Sequence, residues 1–402
     1  VTHALLLLYI LAGPAVWLVF PFFLVLAWTR LNRLLKFQPA PNEPAPTATT
    51  FAVIPARNEA AVIESAVRSV LDQDLPNLRV IVVNDRSTDA TGQILDRLAI
   101  ENPRLTVYHV TESQIPAGWL GKNYAIALGV RRADELAAAE SRPLDQQWMW
   151  FVDSDVIVRP DALRLCLQLS QKRGYSALSL LTALTTVRLW EKLFMPLAAA
   201  GWGAMFTISL TNNDQDPATA YANGQFFLIR RDIYKQIGGH EMVKSSVVED
   251  CDLMALIKGS GHRGRFLLGP HVARTRMYAT IPAMLRGWGR IYSGSSNRRA
   301  PRIVGGIFFV LLTMLPAYPA VVYALLTGSP LWLAASITHL LAMTACAAVM
   351  IRWSGNPAAL ALGLPITAVG LVVIFSRALI MCFGGQVNWR GSVVAVQANQ
   401  AR

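Results

Sequence analysis

Apolar and polar positions along this chain fall into three regimes. Ala4 to Trp28 carries no charge, and about 20 apolar residues suffice to cross a bilayer. No Lys or Arg precedes it and Arg30 closely follows, so it reads as a retained anchor rather than a cleaved leader. Pro14 and Pro21 are tolerable inside such a helix. Residues Pro39 to Ala48 are Pro-rich and aperiodic, the pattern of a spacer.

From Thr50 the pattern changes to short apolar runs separated by amphipathic stretches. Thr50–Pro55, Leu78–Asn84, Leu105–His109 and Trp148–Val152 have strand length. Between them, Ile63, Val67, Val70 and Leu71 share one helical face. Ser87 is the expected cap of a helix carrying Ile94, Leu95 and Leu98, and a further helix follows Gly121. Alternation of this kind predicts a parallel, doubly wound α/β sheet with its ligand at the carboxyl ends of the strands.

Beyond Arg302 the chain turns apolar again. Ile303–Leu326 and Leu331–Ile351 are clear spans, and Pro357–Phe375 is a shorter third, followed by Arg377. No internal repeat is visible, so a transporter built from duplicated halves is unsupported. Inside the α/β region, Leu189–Leu210 is nearly all apolar apart from Glu191 and Lys192. It could be a core helix, a fourth span or an interfacial helix, and Pro196, Trp190 and Trp202 allow an interfacial or partly embedded helix as readily as a core one.

Composition sharpens this division. Of 402 residues, 53% are hydrophobic and 15% charged, with a net charge of +12. That is too apolar for a simple soluble enzyme. Basic residues cluster beside the spans: Arg30, Arg33 and Lys36 after the first, and Arg286, Arg290, Arg298, Arg299 and Arg302 before the second. This placement fits cytoplasmic flanks and speaks against a nucleic-acid-reading stripe. Four scattered cysteines read as isolated thiols, and six histidines show no zinc-binding spacing.

Polar chemistry gathers at the predicted strand ends. Pro55-Ala-Arg-Asn-Glu59 closes the first strand and Asn84-Asp85-Arg-Ser-Thr-Asp89 the second, where an acidic residue can accept from a ribose or base. The fourth ends in Asp153-Ser-Asp155. Two carboxylates so placed repel unless a cation lies between them, and magnesium binds through one or two carboxylates plus substrate phosphates. Val247-Val-Glu249-Asp250-Cys-Asp252 opens a later helix. Its acids suit a first helical turn, and equally suit a general base.

Taken with Asn223-Gly-Gln-Phe-Phe227, these motifs resemble the inverting glycosyltransferases of family 2, over about Phe51 to Tyr292. The resemblance implies a GT-A (nucleotide-diphospho-sugar transferase, Rossmann-like) α/β domain plus transmembrane helices. It also implies Glu59 and Asp85 at the base and ribose, Asp153 and Asp155 binding Mg2+ or Mn2+ with the diphosphate, and Asp250 as base. Pro55, Arg57 and Glu249 join the expected nucleotide-sugar set. Gly118-Trp-Leu-Gly-Lys-Asn123 and Gly287-Trp-Gly-Arg-Ile-Tyr-Ser-Gly294 look like a narrower membrane branch, that of hopanoid- and carotenoid-associated enzymes and ceramide glucosyltransferases. That adds Lys122, Arg286, Trp288 and Arg290. Asn388-Trp-Arg-Gly391 resembles the closing motif of this branch, although Ser392 stands where Arg is expected. In Arg286-Gly-Trp288-Gly-Arg290 the aromatic precedes the second basic residue, which departs from processive polysaccharide synthases.

The expected organisation is an anchor (1–29), linker (30–49), catalytic domain (50–285), basic interfacial segment (286–302), membrane helices (303–380) and tail (381–402). The expected function is inverting, metal-dependent sugar transfer from a nucleotide-diphosphate sugar, UDP-linked by expectation, to a lipid hydroxyl. The expected location is the cell inner membrane, with the catalytic domain facing the cytoplasm and no nucleic-acid partner. Competing readings are a polyprenyl-phosphate sugar transferase, a polysaccharide synthase, and a non-catalytic receptor or transporter. Three later spans would put the C-terminus opposite the active site, so Pro357–Phe375 is the candidate for re-entrance.

Overall fold

The computed structural model describes the chain except residues 1, 33, 35, 40–43, 112–114, 139–141, 207–209, 297, 385, 390–391 and 396–402. For residues 2, 386–389 and 392–395 it describes the backbone alone. The chain opens with α1 (Thr2–Ala12) and α2 (Pro14–Leu31). Trp17 Nε1 donates to the Thr313 carbonyl at 2.5 Å, and Tyr9 and His339 share a 2.9 Å hydrogen bond. Outward, Leu8 and Phe22 are 63% and 66% exposed, as a lipid-facing surface requires. Part of the Pro-rich linker, 40–43, lies outside the described residues. Its C-terminal part is docked rather than free: Gln168 reaches the Pro44 carbonyl and Asn77 the Thr47 carbonyl.

The first half of the α/β domain runs β1 (Thr49–Ala56), α3 (Ile63–Leu71), β2 (Leu78–Asn84), α4 (Thr91–Glu101), β3 (Leu105–His109), α5 (Gly121–Ala138) and β4 (Gln147–Phe151). The second continues with β5 (Val156–Val158), α6 (Ala162–Arg173), β6 (Ala177–Leu181), β7 (Ala183–Leu184), α7 (Leu189–Met205), β8 (Phe227–Arg230), α8 (Arg231–Gln236), α9 (Glu249–Gly259), β9 (Gly264–Leu268) and β10 (Ala273–Thr275). The main sheet has the order β3-β2-β1-β4-β8-β6-β9. Both faces are covered. Ala52 and Ile54 pack with α3, α4 and α6, while Phe51 and Val53 pack with α5 and α9. This two-sided burial is why the strands read as unbroken apolar runs.

Two expectations need correction. The sheet is mixed, not wholly parallel: β8 runs antiparallel to both β4 and β6. The crossover through α6 leaves a slot between β4 and β6, and β8 fills it from a later part of the chain. Hydrophobic runs carry no strand direction, so the sequence pattern could not show this. Ser87 does not cap α4 either. The helix begins at Thr91, and Ser87 Oγ instead accepts from the Asn58 N–H at 3.0 Å.

The rest is helical: α10 (Ile281–Ser295), α11 (Ala300–Thr313), α12 (Ala317–Thr327), α13 (Pro330–Trp353) and α14 (Leu364–Phe383), then a hairpin of β11 (Gln386–Trp389) and β12 (Ser392–Ala395). Among the described residues, four helical stretches are long and apolar enough to cross a membrane: His3–Leu31, Ala300–Thr327, Pro330–Trp353 and Ala358–Phe383. The last outruns the Pro357–Phe375 segment read from hydropathy, because α14 carries Arg377 inside it instead of ending there. Its 20 residues span about 30 Å at 1.5 Å per residue. Length therefore no longer singles it out as re-entrant.

A third apolar cluster joins α2, α7, α10, α11, α13 and α14. The ambiguous Leu189–Leu210 segment belongs here through α7, with 207–209 outside the described residues. Its one buried acid, Glu191, pairs with Arg276 at 2.7 Å. Burial opposes that charge, yet Arg276 and the Val187 N–H hold its pKa below the usual value.

Candidate active site

The loops after β1 and β2 are built as one unit. Asn58 and Arg86 take φ values of 54° and 53°, uncommon for residues with a side chain and most tolerable for Asn. Their turns interlock. Asn58 Oδ1 accepts from the Thr88 N–H at 2.8 Å, Asp89 Oδ2 from the Ala60 N–H at 3.1 Å, and Thr91 Oγ1 from the Glu59 N–H at 2.8 Å. Glu59 remains partly exposed on this rim, and its carbonyl starts α3 by accepting from the Val62 and Ile63 N–H groups. The polar residues that looked like ordinary turn formers are thus the stitching that orients two strand ends.

Asp85 is the buried carboxylate of this pair of loops, 5% exposed. Arg86 Nε donates to it at 2.7 Å and Arg57 stands 3.9 Å away. Its Oδ2 also lies 3.5 Å from where a Cβ on Gly121 would be, at the start of α5. A carboxylate clamped by guanidinium groups keeps its lone pairs fixed in direction.

The next residue of α5 carries the centre of the site. Lys122 Nζ lies 2.8 Å from Asp153, just past β4, and 3.0 Å from Glu249, first residue of α9. Burial works against the ammonium charge, but Asp153, Glu249 and Asp250 together hold its pKa above the ordinary lysine value. Asp250 Oδ2 accepts from the Gly224 N–H at 2.6 Å and Oδ1 from the Cys251 N–H at 2.8 Å. Burial and the adjacent Glu249 push Asp250 up to about 7, against the pull of Lys122. A carboxylate poised near neutrality is a matched general base. Space at Gly224 is tight: a Cβ there would sit 3.1 Å from Lys122 Nζ and 3.5 Å from Asp250 Oδ2.

A small cavity between these groups is lined by Pro55, Lys122, Asp153, Gly224, His240 and Asp250, among others. His240 forms its floor, hydrogen-bonded to the Tyr234 hydroxyl at 2.7 Å and edge-on to Phe151. Burial, aided by Lys122, lowers its pKa to about 3, so it stays neutral.

Asp155 lies two residues beyond Asp153. Tyr278, whose hydroxyl burial raises to about 12, feels the charges of both Arg290 and Asp155. Tyr278 reaches them by packing on Gly287, where a Cβ would meet its hydroxyl at 2.1 Å. Arg286 is exposed on the same helix. Trp288 stands two residues before Arg290. It is 3% exposed and donates to Met195 Sδ of α7 at 3.3 Å, packing α10 on α7. Trp389 has only its backbone described, and 390–391 lie outside the described residues.

Asp153 and Asp155 offer hard oxygen donors, which suit Mg2+ or Mn2+. Among the described residues no third His, Cys, Asp or Glu completes a protein-only metal cage. The donor set therefore fits an ion that completes its shell with diphosphate oxygens. Repulsion between the two carboxylates is a weaker argument for a metal than the sequence implied, since Lys122 already neutralises Asp153.

Sequence reasoning missed Asn123, His240, Arg86 and Tyr278. Asn123 is 1% exposed and donates to the Val243 and Ser246 carbonyls, both at 2.9 Å, tying the start of α5 to the loop that leads into α9. Its position beside Lys122 was the available signal. His240 and Tyr278 had none, because each reaches the site through a fold contact.

Comparison with known proteins gives consistent matches. The family model described as Glycosyl transferase family 2 matches residues 51–238, and that described as Glycosyl transferase family group 2 matches 148–394. Among curated proteins, 4,4'-diaponeurosporenoate glycosyltransferase of Staphylococcus aureus (strain bovine RF122 / ET3-1) is 26% identical over 261 residues, 63% of this chain and 64% of the relative. The chain thus matches just under two thirds of the length of that relative. Among solved structures, a mannosyltransferase from Pyrobaculum calidifontis in complex with GDP-Man and Mn2+ aligns with a TM-score of 0.47 and 20% identity, over 91% of this chain and 97% of that one. Glucosyl-3-phosphoglycerate synthase from Mycobacterium tuberculosis aligns with a TM-score of 0.38 and 19% identity, over 65% and 86%.

Proposed function

The chain belongs to glycosyl transferase family 2, and from that premise we propose that it transfers a sugar from a nucleotide-diphosphate sugar to a hydroxyl of a membrane lipid. Asp250 carries this reading. It pairs a pKa raised to about 7 with two backbone N–H contacts that aim its carboxylate at the cavity beside Lys122.

In the proposed step the acceptor oxygen attacks the anomeric carbon as the carbon–oxygen bond to the diphosphate breaks. The acceptor proton passes to Asp250, and the bond pair leaves with the nucleoside diphosphate. Attack opposite the leaving group inverts the anomeric centre. Lys122 neutralises charge beside the departing phosphates, and Arg290 is placed to do so from the Asp155 side. Asp85, held by Arg57 and Arg86, accepts from the ribose or base, with Pro55 and Glu59 on the same rim. When bound, Mg2+ or Mn2+ on Asp153 and Asp155 would supply positive charge to the diphosphate. Glu249 positions Lys122 and raises the basicity of Asp250.

A lipid acceptor is supported by two features. The catalytic domain is flanked by helices long enough to span a membrane, and the staphylococcal relative is named as a 4,4'-diaponeurosporenoate glycosyltransferase. The basic flanks support an integral inner-membrane protein with this domain facing the cytoplasm. The domain limits 1–29, 30–49, 50–285, 286–302, 303–380 and 381–402 are proposed with it. Lipids extracted from cells expressing wild type or Asp250→Asn test the reading by mass spectrometry. A hexose-bearing lipid should be present with the first and absent with the second; its persistence in Asp250→Asn would remove Asp250 as base.

A further inference from the structure

The turn before His240 is built around one hydroxyl. Gly238 and Gly239 take φ values of 78° and 56°, a conformation that favours residues without a Cβ. A Cβ at Gly239 would stand 2.6 Å from the Tyr234 ring, so the backbone closes on Tyr234 only because none is there. The His240 N–H then donates to the Tyr234 hydroxyl at 3.0 Å, and that hydroxyl lies 2.7 Å from His240 Nδ1. Among the described residues Nδ1 is the one acceptor within its reach, so the tyrosine proton goes there. Burial beside Lys122 keeps the imidazole neutral. Its own proton therefore sits on Nε2.

That leaves a donor with nothing to donate to. His240 is 3% exposed, yet among the described residues no group accepts from Nε2. Nor is this nitrogen fully enclosed, as the unpartnered Trp150 Nε1 is. A buried N–H in this state is costly, and a ligand oxygen relieves it. The ring lines the small cavity together with Lys122, Asp153, Gly224, Glu249 and Asp250. Those neighbours select the oxygen. Ionised carboxylates only accept hydrogen bonds, and so do phosphate oxygens. A hydroxyl does both: it takes the Nε2–H and gives its own proton to a carboxylate.

We propose that His240 recognises the donor sugar, with Nε2–H donating to one hydroxyl of the sugar ring, and that Tyr234 is the positioning residue that fixes the tautomer. This assignment rests on the proposed use of a nucleotide-diphosphate sugar.

Calorimetry on the full chain in lipid nanodiscs tests it with UDP-glucose, UDP-N-acetylglucosamine and GDP-mannose, each set against its own nucleoside diphosphate. His240→Phe keeps a ring beside Phe151. It should leave UDP and GDP affinity unchanged, while the ratio of sugar-nucleotide to diphosphate affinity falls about tenfold for at least one sugar, the scale of one hydrogen bond. His240→Gln, whose amide carries a donor close to the Nε2 position, should restore most of that ratio. Tyr234→Phe should lower the ratio by a smaller factor and add nothing to His240→Phe, as expected for residues acting through one contact. One monodeoxy analogue of the affected sugar should bind wild type and His240→Phe equally. An unchanged ratio for all three sugars, or equal losses of diphosphate and sugar-nucleotide, overturns the assignment and leaves the proposed transfer standing. Failure of wild type to bind any of these nucleotides would remove the transfer as well.

Discussion

Lys122, in the first turn of α5, lies 3.0 Å from Glu249, in the first turn of α9. The contact joins two helix N-termini whose dipoles both favour anions nearby. With Asp153 at 2.8 Å on the other side, the ammonium is the electrostatic keystone of the site. Lys122→Met should lower kcat by about 10²-fold or more, the scale of a lost transition-state contact. Lys122→Arg should rescue little, because the backbone at Gly224 leaves no room for a guanidinium. Single-turnover kinetics with saturating donor checks both.

The raised pKa of Asp250 predicts two pH effects. In the free enzyme, kcat/KM should fall as pH drops through about 7, where the base becomes protonated. Stability has the opposite sense. The folded state holds a proton that the unfolded chain has released above its ordinary carboxylate value, so this contribution is greatest below that value and is lost as pH rises through about 7. Asp250→Asn should therefore melt higher than wild type at pH 8, match it near pH 4, and be inactive throughout.

Asp153→Asn and Asp155→Asn address the ion. Calorimetric titration with nucleoside diphosphate should show the Mn2+-dependent gain in affinity cut about tenfold or more by either change, a ligand loss of roughly 1.4 kcal/mol. Affinity measured with chelator present should move much less. Equal losses with and without Mn2+ would assign both residues to the nucleotide itself.

Asn123→Ala removes donors to buried carbonyls around residues 243–246. About 1–3 kcal/mol of stability should go with them. Because that loop leads into Glu249 and Asp250, kcat should drop more than KM rises. A uniform loss of folded protein with kinetics unchanged would make Asn123 purely structural.

Gly129→Val tests how α5 is seated. A Cβ at 129 would stand 2.5 Å from Val53 Cγ1 and 3.1 Å from Val83 Cγ2. Overpacking of this kind costs about 1–3 kcal/mol, read as a lower unfolding midpoint. The folded fraction should also bind donor less well, since α5 carries Lys122.

Much of this site was legible because its elements are local. Leu78–Asn84 and Leu105–His109 have the bounds their apolar runs imply. Asp85, Asp153 and Asp250 announce themselves by standing at strand ends or a helix start. For Trp288 the structure adds what helical spacing does not show, a buried contact with Met195 of α7.

The sequence by itself determined the alternation of strands and helices, the apolar spans, and the acids at their ends. Those properties are set by hydrophobic period and nearest neighbours along the chain. Only the tertiary structure decided that β8 enters the sheet reversed, that Lys122 sits between Asp153 and Glu249, and that His240 lines the candidate cavity. It also decided that α7 lines an apolar cavity between the α/β domain and the helices. Each of these depends on contacts between residues far apart in sequence, and a one-dimensional pattern carries no record of which distant surfaces bury each other.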